Sequence, residues 1–466
     1  MTDPTTPAAS AGLDEHLDAT VEARLASFQD FLRIPSISAL PEHAHDVRRA
    51  ADWLAGAMTA AGIEHVAVEE TGGHPVVYGD WLHADGAPTV LVYGHYDVQP
   101  TDPLDLWSSP PFEPVITDGR IVGRGTADDK GQIHAHVMAA AALLATRGAY
   151  PVNVKYVFEG EEEVSSPHLA AWLTANRERL AVDVSIISDT GFFEGNLPAI
   201  TISLRGLMYA QIDVVGSPID LHSGSYGGAV QNPAMALAQV LAALKGADGR
   251  VRIPGFYDEV LSLSDEERAA LAALPFDEEA YRQKTGVSVL VGEAGYTTLE
   301  RRATRPTIEV NGIWGGFQGS GAKTIIPAHA HAKVSCRLVV AQDPVVIFER
   351  FRDHVAEIAP PGVTVTTTLL GAGPASRTSM DSPFAQAAAR ALEAVFGRAP
   401  VFIREGGSIP VTADLESILG APVVLLGFTQ PDEHAHAPNE WLDLANYEGA
   451  LRAIVRTFEE IAALPR

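Results

Sequence analysis

Several short segments of the chain place His, Asp or Glu just after a run of apolar residues, where a sheet strand would end. His95-Tyr96-Asp97 follows the apolar run Val90 to Tyr93. Residues two apart in an extended segment face the same side, so His95 and Asp97 can converge on one point. An imidazole there suits Zn2+ or a similar metal, and a neighbouring carboxylate can orient it. In Gly123-Arg124-Gly125-Thr126-Ala127-Asp128-Asp129-Lys130-Gly131, glycines permit tight turns before a helix, and two acids stand side by side. Those acids suit either a metal or the N-terminal cap of the helix. Glu159-Gly160-Glu161-Glu162-Glu163 follows another strand-like run. It is either a solvated loop or a pair of functions, one glutamate binding a metal while its neighbour serves as general base. Ser188-Asp189-Thr190 ends a further apolar strand, and His434-Ala435-His436-Ala437-Pro438-Asn439-Glu440 forms a late loop. Asn439 and Glu440 also suit the start of the last helix. Together these segments offer only oxygen and nitrogen donors, the set that hard and borderline cations take.

Composition narrows the setting. Among 466 residues, 33 Lys and Arg face 59 Asp and Glu, a formal charge of −26. Such a field repels phosphate backbones and anionic lipids, so nucleic acid and membrane surfaces are poor partners. The single cysteine excludes both an intramolecular disulfide and a thiolate metal cluster. Met1 to Ala11 lacks the basic start and apolar core of a signal peptide and reads as a loose tail. No apolar run is long enough to span a bilayer. A soluble cytoplasmic protein is the expectation.

The elements that must position these residues follow from periodicity. Leu17, Val21, Leu25, Phe28 and Leu32 mark one face of a helix ended by Pro35, and a second helix covers His45 to Ala61. Strands at Val90 to Tyr93, Val152 to Phe158 and Val184 to Ile187 alternate with helices at Gly131 to Arg147 and Leu169 to Leu180, an α/β layer with a largely parallel sheet. After Arg205-Gly206 the rhythm changes. Tyr209 to Val215 and Ala332 to Val340 read as strands, Pro233 to Leu244 and Val345 to Ile358 as helices, and Asp258 to Arg302 as a polar surface excursion. The α/β pattern returns from Ser382, with a helix through Phe396, a strand at Val423 to Leu426 and a last helix from Leu442 to Ile461. The expected organisation is a discontinuous catalytic domain, 1–205 and 376–466, with an inserted α+β domain, 206–375.

In this order the segments resemble the M20 metallopeptidase family, within it the dipeptidase branch that includes carnosinases. The likeness runs through Tyr93-Gly94-His95-Tyr96-Asp97-Val98, Gly123-Arg124-Gly125, Asp128-Asp129-Lys130-Gly131, Glu159 to Glu163 and Ser188-Asp189. It continues through Leu204-Arg205-Gly206, Asp220-Leu221-His222-Ser223-Gly224, Lys323-Thr324-Ile325-Ile326-Pro327, Arg337-Leu338-Val339, Gly406-Gly407-Ser408-Ile409-Pro410 and Ala435-His436 with Asn439-Glu440. The resemblance implies a zinc-exopeptidase-like catalytic domain, with a mixed, mostly parallel sheet between helices, and an inserted lid and dimerisation domain. It implies two divalent metal ions per subunit. His95 and Asp189 would bind one, Glu163 and His436 the other, and Asp128 would bridge both, together with a water. Glu162 would be general base and then acid, Asp97 would orient His95, and the peptide between Asp128 and Asp129 would be cis. His222 would stabilise the oxyanion, reaching the partner subunit's site in a homodimer. Thr324, Arg337 and Ser408 would contact the C-terminal end of the substrate, with the Arg337 guanidinium clamping a free carboxylate.

These features point to metal-dependent hydrolysis of dipeptides or similar short substrates, with Zn2+ ranked first and Mn2+ or Co2+ as alternatives. An N-acyl amino acid hydrolase or a carboxypeptidase of the same fold is the close alternative, and a non-catalytic metal-binding scaffold the distant one. His134 and His136 are set aside as a shared site, because residues two apart on a helix do not face the same way. His434 is set aside because only His436 keeps the spacing to Asn439-Glu440, and Cys336 reads as a packed core residue. Ser165 stands where the resemblance leads one to expect glycine.

Overall fold

A computed structural model describes the backbone of residues 7–465 and the side chains from residue 12 onward. The first six residues of the expected N-terminal tail lie outside the described residues. From Pro7 the chain is already in the helix Pro7–Leu32, so that tail is shorter than its composition suggests. The chain divides into two compact units. One comprises Met1–Ile202, Thr378–Ile403 and Asp414–Arg466; the other comprises Ser203–Arg377 and Arg404–Ala413.

The first unit is built on a mixed sheet. Its centre is parallel: Asn153–Glu159, Thr89–His95, Val184–Ile187 and Val423–Leu425 lie side by side in that order. Antiparallel strands flank it, Val76–Trp81 and Glu64–Glu69 beyond one edge and Ala199–Leu204 beyond the other. The central strands are buried throughout, as continuous apolar runs in a two-faced sheet should be. Register decides what their ends can do. His95 pairs with Glu159, and Tyr93 pairs with both Val157 and Ile187. The carboxyl ends of the parallel strands therefore come level, and the segments after them emerge at one edge, where open α/β sheets place ligands.

The helix Lys130–Arg147 crosses this edge closely enough to need glycine beneath it. A Cβ at Gly94 would fall 2.2 Å from Ile133 Cγ2 and 2.6 Å from Asp129 Oδ2. Its two histidines are core residues, as their spacing implies. His136 Nε2 meets Ser188 Oγ at 2.7 Å. His134 stacks on Phe28, with ring centroids 5.1 Å apart, and its Nδ1 meets the Tyr447 hydroxyl at 2.8 Å. Burial pushes the His134 imidazole down to about 3. Because the folded value lies below the unfolded one of about 6.5, the unfolded chain takes up the proton first. Stability should therefore be intact above pH 6.5 and fall as pH drops towards 3. His134→Phe should flatten that part of the profile, measured as the denaturation midpoint against pH.

The second unit carries an antiparallel sheet in the order Thr307–Gly315, His329–Leu338, Gly206–Val215, Thr364–Gly373. Its two central strands, His329–Leu338 and Gly206–Val215, alternate strictly. Met208, Ala210, Ile212 and Val214, with Ala332, Val334, Cys336 and Leu338, point into a core shared with the helices Pro233–Leu244 and Pro344–Ile358. Both helices start with a capping side chain and Pro at the first turn, Asn232-Pro233 and Asp343-Pro344. Cys336 is fully buried there.

Three expectations need correction. The helix Leu169–Ala175 ends before Leu180, at the cap Asn176. The segment Arg404–Ala413 belongs with the second unit, not with the domain expected over 376–466, while the surface stretch from Asp258 to Arg302 carries the helices Asp265–Ala272, Glu278–Thr285 and Thr298–Ala303, two of them opened by capping boxes, Ser264 with Glu267 and Thr297 with Glu300. The last helix begins at Leu444, capped by Asp443, because Trp441–Asp443 pairs as a strand with Arg120–Val122.

Candidate metal centre

The level strand ends of the first unit deliver their side chains to one place. His95 arrives at the end of Thr89–His95, Asp189 two residues after Val184–Ile187, and Asp128 just before the helix Lys130–Arg147. Glu162 and Glu163 form a short turn after Asn153–Glu159. His436 comes from the late loop, in a left-handed conformation with φ +62°. Two groups of ligand atoms result, each within 4.8 Å: His95, Asp128 and Asp189, and Asp128, Glu163 and His436. Asp128 belongs to both. Its Oδ1 lies 3.0 Å from His95 Nε2 and its Oδ2 lies 2.8 Å from His436 Nε2. His436 Nε2 is 3.3 Å from Glu163 Oε2, and His95 Nε2 is 4.0 Å from Asp189 Oδ1.

Surrounding bonds fix these groups. His95 Nδ1 donates to Asp97, 3.1 Å from its carbonyl oxygen and 3.3 Å from Oδ1. Nε2 is the ring atom left to face Asp128, and although burial opposes it, the hydrogen bonds to Asp128 and Asp97 hold the proton affinity of the ring well above the usual imidazole range. The Asp97 carboxylate also accepts from the backbone N–H groups of Glu162 and Glu163, at 3.3 and 3.1 Å. One buried carboxylate thus ties the His95 ring to the turn carrying both glutamates. Gln99 Nε2 donates to Glu163 Oε2 at 2.7 Å, a contact that nothing in the sequence singles out. His95 Nε2 and Glu163 Oε1 are buried without a hydrogen-bond partner. Unsatisfied buried donor atoms converging around a shared carboxylate fit a cation.

The electrostatics say the same. Burial, then the neighbouring carboxylates, pushes Glu162 and Asp189 well above the usual carboxylate range. Burial also acts on Asp128, but the His436 and His95 rings hold it well below that range. Hydrogen bonds to Asp128 and Glu163 lift His436 to about 11. This many acids in a buried space require positive charge, which divalent ions would supply. The peptide between Asp128 and Asp129 is cis. Ser165 has φ +71°, a conformation natural to glycine, so its turn is kept without one. His434 takes part in neither ligand group.

The other expected residues lie in the second unit, in two pairs. His222 and Thr324 come together because Leu221–His222 pairs with Ile325–Ile326, and Ser223 N donates to Thr324 O. His222 Nδ1 accepts from the N–H groups of Gly224 and Ser225 at 3.0 and 3.3 Å. The neutral ring must then carry its proton on Nε2, as a donor. Arg337 and Ser408 form the second pair. Arg337 Nη1 donates to Ser408 Oγ at 2.7 Å, and Ser408 Oγ donates to Arg205 O at 2.5 Å. Arg337 has no carboxylate partner among the described residues. Glu440 is a residue that sequence reasoning missed; it is fully buried against the loop before Asp128. No helix among the described residues is long and apolar enough to cross a membrane.

Comparison with known proteins adds independent findings. A family model described as peptidase family M20/M25/M40 matches residues 91–460. The Cys-Gly metallodipeptidase dug1 of Schizosaccharomyces pombe is 32% identical over 97% of this chain and 98% of its own. The crystal structure of human carnosine dipeptidase 1 superposes with a TM-score of 0.88 at 28% identity, covering 99% of this chain and 100% of that one. A metallo-carboxypeptidase from Sulfolobus solfataricus gives 0.86 at 32% identity, over 95% and 99%.

Proposed function

We propose that this chain, which belongs to peptidase family M20/M25/M40, is a dinuclear metal-dependent dipeptidase that cleaves short substrates with a free C-terminal carboxylate. The observation that carries the reading is the sharing of Asp128, one oxygen towards His95 and the other towards His436. His95 and Asp189 would hold one divalent ion, Glu163 and His436 the other, with Asp128 common to both. Zn2+ ranks first for this donor set, with Mn2+ and Co2+ as alternatives. When bound, such a pair polarises a peptide carbonyl and lowers the pKa of water towards neutrality.

The protein's own groups do the rest. Glu162, whose burial gives it an unusually high proton affinity, takes a proton from the attacking water and passes it to the leaving nitrogen. Asp97 keeps the His95 ring in the tautomer that presents Nε2. His222, held with its Nε2–H outward, donates to the oxyanion of the tetrahedral intermediate. Arg337 and Ser408 receive the substrate carboxylate, with Thr324 beside it. The unit comprising Ser203–Arg377 serves as lid and as homodimer interface. The edge strand Thr307–Gly315 supports this, since its outer side is unpaired and Val310 and Ile313 are exposed. A cytoplasmic setting agrees with a single, buried cysteine.

Purified, metal-loaded protein assayed against dipeptides, dipeptide amides, N-acyl amino acids and longer peptides tests the reading. Free dipeptides should be the best substrates. Arg337→Ala should raise KM for them by about 10- to 150-fold, the loss of one hydrogen bond to a charged group, and leave the amides nearly unchanged. A preference for longer peptides would instead favour the carboxypeptidase alternative, which the likeness to the Sulfolobus enzyme supports. Equal loss on acids and amides would remove Arg337 from carboxylate recognition.

A further inference from the structure

Glu440 lies outside both ligand groups, yet it makes a dense set of hydrogen bonds to the loop that presents Asp128. Its side chain has no exposed area. One carboxylate oxygen accepts from Arg124 Nη1 at 2.7 Å and Gly125 N at 2.9 Å. The other accepts from Ala127 N at 2.9 Å and Asp128 N at 3.1 Å. Its carbonyl oxygen accepts from Gly123 N at 2.9 Å. The segment Arg124 to Asp128 is therefore wrapped around a single carboxylate. Arg124 is likewise buried, and its other terminal nitrogen is spent on Pro100 O at 3.0 Å.

The carboxylate comes from the loop that carries His436. Immediately after it, Trp441–Asp443 pairs with Arg120–Val122, the strand that leads into the Asp128 loop. Two segments some 300 residues apart in sequence are thus locked together at the approach to Asp128 and just after His436. Asp128 has to direct one oxygen to each group, so a small rotation of its backbone would spoil both.

We infer that Glu440 is a positioning residue: it sets Asp128 against His436 so that one carboxylate serves both metal groups. This rests on the dinuclear reading above. Its charge is essential, because all four partners are donors. Glu440→Gln keeps the shape but turns an NH2 group on two of those donors, whichever way the amide is flipped.

The test is Mn2+ binding to the full-length apo protein, followed by calorimetry and by electron paramagnetic resonance, with circular dichroism reporting the fold. Wild-type protein should bind a spin-coupled Mn2+ pair. Glu440→Gln should weaken binding about 10- to 100-fold, the usual effect of losing a group that orients a ligand, and lose the coupled signal. Glu448→Gln is the control. It breaks another carboxylate clamp, on Arg24 at 2.6 Å, and should lower thermal stability while leaving Mn2+ affinity and coupling intact. If Glu440→Gln fails to fold, Glu440→Asp decides, since its shorter carboxylate cannot reach both pairs of donors. Wild-type affinity and coupling in whichever variant folds would overturn the inference. No coupled pair in the wild type would instead defeat the dinuclear reading, so the two failures are distinct.

Discussion

Glu162→Gln should bind metal as the wild type does and lose about 10²- to 10⁴-fold in kcat, the range general acid–base catalysis contributes. The variant is nearly isosteric, so the turn Glu162–Val164 and its bonds to Asp97 should persist; these use the backbone N–H groups, not the side chain. The Glu162 carboxylate makes no hydrogen bond to any described residue, so the substitution breaks none. Glu162 belongs to neither ligand group, so metal affinity in Glu162→Gln should be close to that of the wild type, as measured by calorimetric titration. A loss confined to kcat identifies the base; a variant of full activity removes Glu162 from proton transfer. A non-catalytic scaffold has no use for this residue, so the same measurement separates enzyme from binding protein.

Exhaustive chelation should abolish hydrolysis and also lower the melting temperature, and both should return with Zn2+, Mn2+ or Co2+. The second effect follows from the buried acids. Without cations, Asp189 and Glu162 keep protons that burial and their neighbours force on them, and Asp128 depends on two imidazoles for charge compensation. Ions that bind only the folded chain stabilise it by about 2.7 kcal/mol at a hundredfold excess over Kd. The rise in melting temperature should continue with metal concentration beyond the point where the sites fill. Hydrolysis that persists in protein shown to be metal-free would end the dinuclear mechanism, and an unchanged melting temperature would show that these carboxylates are not where the metal binds.

The site was unevenly legible. His95 and Asp97 could be paired from their two-residue spacing, and the Asp97 carboxylate lies 3.3 Å from His95 Nδ1. His134 and His136 could be discarded from helical geometry, and both are core residues. Ser264 with Glu267 and Thr297 with Glu300 carry a plain helix-start signature, which makes two of the helices between Asp258 and Ala303 legible. Glu440 was not readable. Adjacent to Asn439 and just before an apolar helix, it has the local look of a helix start. Asp443 holds that position, and the partners of Glu440 lie more than 300 residues away.

By itself, the sequence determined which residue types were available and the order in which they occur. Alternation and helical period marked the longer helices and the central strands, and the run of His, Asp and Glu at strand ends restricted the chemistry to oxygen and nitrogen ligands. The −26 charge made polyanions poor expected partners but did not point to the few acids that matter. Tertiary structure alone decided that Asp128 turns one oxygen to each group, that Asp97 bonds to the turn of Glu162 and Glu163, and that Glu440 supports the loop beneath Asp128. The physical reason is range. Periodicity and spacing act over a few residues, whereas the register of parallel strands and the satisfaction of buried charge are settled only when distant segments pack together.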